Sequence, residues 1–188
     1  MSAPTQQRMT AEEYLEFERG SDVRHEFING HVLAMAGETQ EHEDIALNIA
    51  EVLRPIARAR GCRLYTTNIK VRVAAIRYRY PDVMVVCVPK TESRIESEPC
   101  FLVEVLSDST ESVDMNEKLS EYTRLPSLQR YAIISQHRRL VTVYSRVLDR
   151  WEVQVLENDG ALDLPCLETI LTLEQIYAGV NFTPEPLV

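Results

Sequence analysis

The stretch "PCFLVEVLSDST", residues 99–110, sets an acid inside what otherwise reads as a buried strand. Phe101, Leu102, Val103, Val105 and Leu106 make a dense apolar run of the kind that fills a central strand covered on both faces, and Ser and Asp mark its exit. Glu104 stands in the middle of it. An ionised carboxylate taken out of water without a partner costs several kcal/mol or more, so the fold must supply a pairing cation, a raised pKa or a metal there. A second run, "YPDVMVVCVP" (80–89), repeats the anomaly, with Asp82 following Pro81 at the head of Val83–Val86. If the two strands are neighbours, their carboxylates lie within about 5 Å, the cross-strand spacing. Taken singly, each acid reads as the partner of an arginine or as a strand-end cap. Taken as a pair, they repel, and a divalent cation is the natural group to hold both ionised.

The surrounding pattern is that of a mixed α/β chain. "TAEEYLEFE" (10–18) carries Thr at an N-cap position and Glu three residues on, marking a first short helix. "HEFINGHVLAMAG" (25–37) has Asn-Gly between two β-rich runs, a hairpin signal. Ile45, Ile49, Val52, Leu53 and Ile56 recur at helical spacing between about His42 and Arg60, with Pro55 inside and Gly61 as a stop. Residues 62–75 alternate like a half-exposed strand. After Thr110 the pattern is helical through about Tyr122, then strand-like over 130–136, 139–146 and 151–157, with a last short helix at 171–179. At 188 residues the chain suits a single domain, 1–188, with loose ends at about 1–8 and 183–188.

Charge and cysteine usage exclude some classes. A net charge of −9 argues against a generally adhesive nucleic-acid binder. Yet Arg54, Arg58, Arg60, Arg63, Lys70, Arg72, Arg77 and Arg79 fall together with no intervening acid, a local basic band that reads either as a phosphate-binding surface or as solvated charge. No apolar stretch nears the roughly 20 residues that cross a bilayer, and the N-terminal segment lacks a secretion signal, so a cytoplasmic protein without a membrane partner is expected. Cys62, Cys87, Cys100 and Cys166 are scattered without close pairing and read as reduced packing residues.

"YPDVMVVC" followed by "PCFLVEVLSDST" resembles the Pro-Asp and Glu-x-x motifs of the PD-(D/E)xK nuclease superfamily. With "FINGHVLAMAG", "NIKVRV", "DMNEKLSEY" and "LPCLETILTLEQIYAGV", the wider match is to its Uma-two family of restriction-endonuclease-like proteins. The resemblance implies a restriction-endonuclease-like α/β core, a mixed central sheet flanked by helices, holding Mg²⁺ (or Mn²⁺). Carried over by position, Asp82 and Glu104 are the metal ligands, the Val105 carbonyl completes the inner shell, and Glu26 is an N-terminal acid near the metal. The motif's lysine position, two residues after Glu104 on the same strand face, is Leu106.

A leucine cannot orient water, so the lysine is either lost or supplied from elsewhere. Asp114, Lys118 and Tyr122 recur at i, i+4, which alone reads as a solvated ion pair on a helix. Their match to the family's D-x-x-x-K-x-x-x-Y arrangement makes Lys118 the candidate for a migrated catalytic lysine, with Lys70 the second candidate and His42 an accessory acid or base. The expected function is metal-dependent endonucleolytic hydrolysis of DNA, with Arg54, Arg58, Arg72 and Arg77 positioning the phosphate backbone. The alternative is a catalytically silent nuclease-fold module that binds nucleic acid or forms a homodimer.

Overall fold

Local signals and long-range pairing can be followed in turn in the computed structural model, which describes residues 8–90, 92–106 and 114–182, and only the backbone of Asp114 and Met115. The expected helix start after Thr110 lies outside the described residues. Thr10 caps α1 (Ala11–Arg19): its hydroxyl accepts the Glu13 amide, and the Glu13 carboxylate returns to the Thr10 amide. Asn29 (φ 52) and Gly30 (φ 92) both occupy the left-handed region, as a tight hairpin requires, and join β1 (His25–Ile28) to β2 (His31–Ala34). With β4 (Lys70–Ala74), β5 (Arg77–Arg79) and β7 (Ile95–Glu96) they form a five-stranded sheet in the order β2-β1-β5-β4-β7. α1 packs on it through Tyr14, whose ring stacks on Phe27 at 4.7 Å.

The second sheet holds the apolar runs. β3 (Arg63–Thr66), β6 (Val83–Val86), β8 (Phe101–Leu106), β9 (Arg130–Ser135), β10 (Leu140–Val147) and β11 (Arg150–Glu157) are ordered β11-β10-β9-β8-β6-β3. β8 runs antiparallel to β6 and parallel to β9, so the sheet is mixed. One face is covered by α2 (Gln40–Ala59), whose Ile45, Ile49 and Leu53 meet Val83, Val85, Phe101, Val103 and Val105. The hairpin β12 (Ala161–Leu164) and β13 (Thr169–Thr172), with the short α4 (Leu173–Ile176), completes that layer. The other face packs Met84, Val86 and Leu102 against Val71 of the five-stranded sheet and against Tyr122 and Leu125. Strand alternation assigns Glu104 and Leu106 to this second face. The connection from β8 to β9 crosses it as a π-helical turn, Asp114–Lys118, running into α3 (Leu119–Tyr122).

Three expectations change. The strand read over 62–75 is two strands in different sheets, divided where Thr67 takes a positive φ of 31 and the chain bends through Asn68, which the Arg24 guanidinium holds. β5 and the β12–β13 hairpin are additional strands, and the closing helix is confined to Leu173–Ile176. The cysteines are not all reduced packing residues: Cys62 and Cys87 form a disulfide. The β3–β6 register, Arg63 opposite Val86, sets those two residues directly across from each other. Among the described residues no helix is long and apolar enough to cross a membrane.

Candidate active site

Hydrogen-bonded neighbours in the central sheet, β6 and β8 bring the two anomalous acids together. Val83 lies opposite Val103, and the same register continued by one residue sets Asp82 opposite Glu104 at one end of the sheet. Asp82 Oδ2 accepts the Val105 amide at 2.7 Å and lies 3.2 Å from His42 Nε2, in the first turn of α2. Burial alone would lower the His42 pKa, but the hydrogen bond and charge of Asp82, reinforced by Glu38 and Glu43, raise it above its ordinary value.

Glu104 is only 3 % exposed, and it is paired. Its Oε2 accepts Lys118 Nζ at 2.7 Å and its Oε1 accepts the Tyr122 hydroxyl at 2.7 Å. Lys118 ends the π-helical turn and Tyr122 ends α3, so one short segment delivers both donors to one carboxylate. Burial and the Glu104 charge push the Tyr122 phenol well above its ordinary pKa, which keeps it a neutral donor.

The five-stranded sheet supplies the far wall. The β1–β5 register sets Glu26 opposite Arg79, and Arg79 Nη1 lies 2.6 Å from Glu26 Oε2. Arg79 is fully buried and also clasps Glu121, through Nε at 2.7 Å and Nη2 at 2.9 Å. Glu26 Oε1 is 3.8 Å from Lys118 Nζ. Glu26, Glu38, His42, Asp82, Glu104 and Lys118 share the lining of a cavity of about 260 Å³, with Leu33–Ala36 closing one side.

Not every candidate is here. Lys70 is buried in β4 with its ammonium 5.0 Å from the Tyr80 ring centroid and 5.9 Å from that of Tyr14, on a different cavity bordered by Arg19 and Glu92. The side chain of Asp114 lies outside the described residues. The arginines do not form one band: Arg54 and Arg58 ride on α2, on one side of the six-stranded sheet, whereas Arg72 and Arg77 belong to strands on the other. Arg72 is bonded to Glu92 and the Tyr78 hydroxyl, and Arg77 to Glu121 and Asn29. Proximity along the chain did not survive a path through a helix and two sheets. Arg79 and Glu121 were missed as site residues, although the alternation in "RYRYPD" sets Arg77 and Arg79 on one face, and both meet Glu121.

Lys70 yields a pH prediction. Burial foremost, with Arg24 and Arg94 adding to it and Glu18 opposing, lowers its pKa from the ordinary 10.5. Between the depressed folded value and 10.5 the unfolded chain binds more protons, so stability rises with pH across that window. Denaturant unfolding at a series of alkaline pH values should show this rise in the parent and its absence in Lys70→Met. Equal slopes in the two proteins would refute the assignment.

Hard oxygen donors on two opposed strands fit a small divalent cation. Mg²⁺ is commonly held by one or two carboxylates and completes its shell with water and substrate phosphate. Among the described residues no trio of acids and histidines brings its ligand atoms within 4.8 Å of one another, so a cation here would rest on the Asp82–Glu104 pair.

A model of the family described as "Putative restriction endonuclease", Uma2, matches residues 11–174. The chain belongs to the Uma2 family. Two uncharacterized proteins of Synechocystis sp. are similar to it along their length: slr1290 is 27% identical over 93% of this chain and 94% of its own, and sll1609 is 31% identical over 86% and 94%. A crystal structure from Anabaena variabilis, titled a putative nuclease belonging to DUF820, superposes with a TM-score of 0.76 over 90% of this chain and 98% of that one, at 17% identity. The likeness establishes a shared fold, mixed α/β with mixed sheets and flanking helices. In this Uma2 chain Leu106 points into the apolar layer beside Glu104, and the ammonium group beside that acid comes from Lys118.

Proposed function

We propose that this Uma2 protein is a Mg²⁺-dependent endonuclease hydrolysing DNA phosphodiester bonds in the cavity between the two sheets. One observation carries the reading: Lys118 Nζ sits 2.7 Å from Glu104, which lies across the strand pair from Asp82, so two opposed acids and a lysine meet although the motif's own lysine position is leucine. Asp82 and Glu104 would hold the cation. When bound, the cation would polarise the phosphate and lower the pKa of a water. Lys118, lining the cavity, orients the phosphate or the attacking water and offsets negative charge that develops on the phosphoryl oxygens. His42 fixes Asp82, Tyr122 fixes Glu104, and Arg79 fixes Glu26. Four carboxylates, Glu26, Glu38, Asp82 and Glu104, outnumber Lys118 and Arg79 in the lining, so a bound cation would offset the acidic excess that opposes a polyanion and tie DNA binding to metal binding.

The second reading, a silent nuclease-fold module, draws on the same Lys118–Glu104 contact taken as a purely structural ion pair. Incubation of the pure protein with single- and double-stranded DNA in Mg²⁺, Mn²⁺ or EDTA separates them. Cleavage is expected with either cation and not in EDTA, and is expected to vanish in Glu104→Gln. Metal binding without cleavage of any DNA would favour the silent module.

A further inference from the structure

The four cysteines, far apart in sequence, converge at the other end of the strands that carry the acids. Cys62 follows α2, Cys87 follows β6, Cys100 precedes β8, and Cys166 lies in the 3₁₀ turn Pro165–Leu167 between β12 and β13. Cys87 Sγ is bonded to Cys62 and lies 3.7 Å from Cys100 Sγ, and the sulfurs of Cys87, Cys100 and Cys166 all fall within 4.8 Å of one another. Four thiolates at about 2.3 Å around a tetrahedral zinc ion stand about 3.8 Å apart. Apolar packing alone gives no reason for three sulfurs from three segments to meet at one point, with the fourth, Cys62, bonded to one of them.

We propose that Cys62, Cys87, Cys100 and Cys166 form a soft-metal site, a zinc thiolate centre in the reduced protein, separate from the carboxylate cavity. The disulfide form is the oxidised counterpart of the site. A dithiol reductant opens it: the Cys62–Cys87 bond accepts two electrons and two protons, and the dithiol closes to its own disulfide. Zn²⁺ then displaces the thiol protons as four Zn–S bonds form. Cys62 and Cys100 are buried, whereas Cys87 is exposed and Cys166 half-buried, which leaves a side for the ion to enter. Bound there, the ion would tie the β12–β13 turn to β3, β6 and β8. Asp82 and Cys87 lie at opposite ends of β6, so the centre would clamp from below the two strands that hold the acids.

The test is a Co²⁺ titration of anaerobic protein reduced with a phosphine, which brings no thiol of its own. One equivalent per chain should develop a sulfur-to-cobalt charge-transfer band and intense tetrahedral d–d bands, both erased by Zn²⁺. The unreduced protein should lack them. Cys166→Ser, at a half-buried position outside the disulfide and so a safe variant for folding, should weaken binding by more than the roughly 10- to 100-fold that loss of an outer partner costs. The Asp82→Asn/Glu104→Gln double variant should keep the bands, which separates this site from the nuclease reading. Absence of a charge-transfer band in the reduced parent, or a band unchanged by Cys166→Ser, would overturn the proposal.

Discussion

Lys118→Ala should lower DNA cleavage by about 10²- to 10³-fold, the usual cost of removing one preorganised group that stabilises transition-state charge. The expectation rests on its place rather than on its spacing in sequence. The ammonium lies in the cavity wall, 2.7 Å from one acid and 3.8 Å from another. Of the other candidates, Leu106 is apolar, Lys70 faces another cavity, and Arg79 in the same wall is already clasped by Glu26 and Glu121. The same change removes the cation that balances Glu104. Calorimetric Mg²⁺ affinity should therefore hold or tighten in Lys118→Ala while the turnover number falls. Lys70→Met should cleave like the parent. Full activity in Lys118→Ala would end the catalytic assignment, and a matched loss of metal affinity would make Lys118 a positioning residue only.

How far the site was legible follows from which signals are local. The acids could be found because each interrupts a dense apolar run, and two such runs close in sequence belong at the centre of one sheet. Their register, Asp82 opposite Glu104, needed the strand pairing. The pairing of Lys118 and Tyr122 on Glu104 was foreshadowed by i, i+4 spacing, and over the described residues the segment carrying them is a π turn leading into a single α turn. Other features had no local signature. Arg79 was one more member of a basic run, and its burial depends on β5 pairing with β1 and on Glu121 arriving from α3. The cysteines illustrate the same limit: Cys62 and Cys87, 25 residues apart, meet only because β3 and β6 pair in one register. Contacts within a helix turn or hairpin leave a mark in the sequence, whereas contacts between layers do not.

Glu104→Gln tests whether the buried acid is there for a metal or only for Lys118. Removing one partner of a buried ion pair typically costs roughly 3–5 kcal/mol, because the other charge is left without compensation. Lys118 retains Glu26 at 3.8 Å, so the loss in EDTA should sit near the lower end, about 3 kcal/mol. Glu104→Gln combined with Lys118→Met should recover most of it, since removing both charges leaves no stranded ion. Those two results concern the ion pair. The metal is read from the parent: with free Mg²⁺ a hundredfold above its Kd, the parent should gain about 2.7 kcal/mol, and neither variant should gain comparably. Denaturant unfolding of all three proteins in EDTA and in Mg²⁺ separates the two contributions. A parent indifferent to both Mg²⁺ and Mn²⁺, beside a Glu104→Gln variant that is destabilised to the same degree in every buffer, would reduce Glu104 to a structural partner of Lys118. The metal-dependent nuclease reading would then fall, because it places the cation on Glu104 and the Asp82 opposite it.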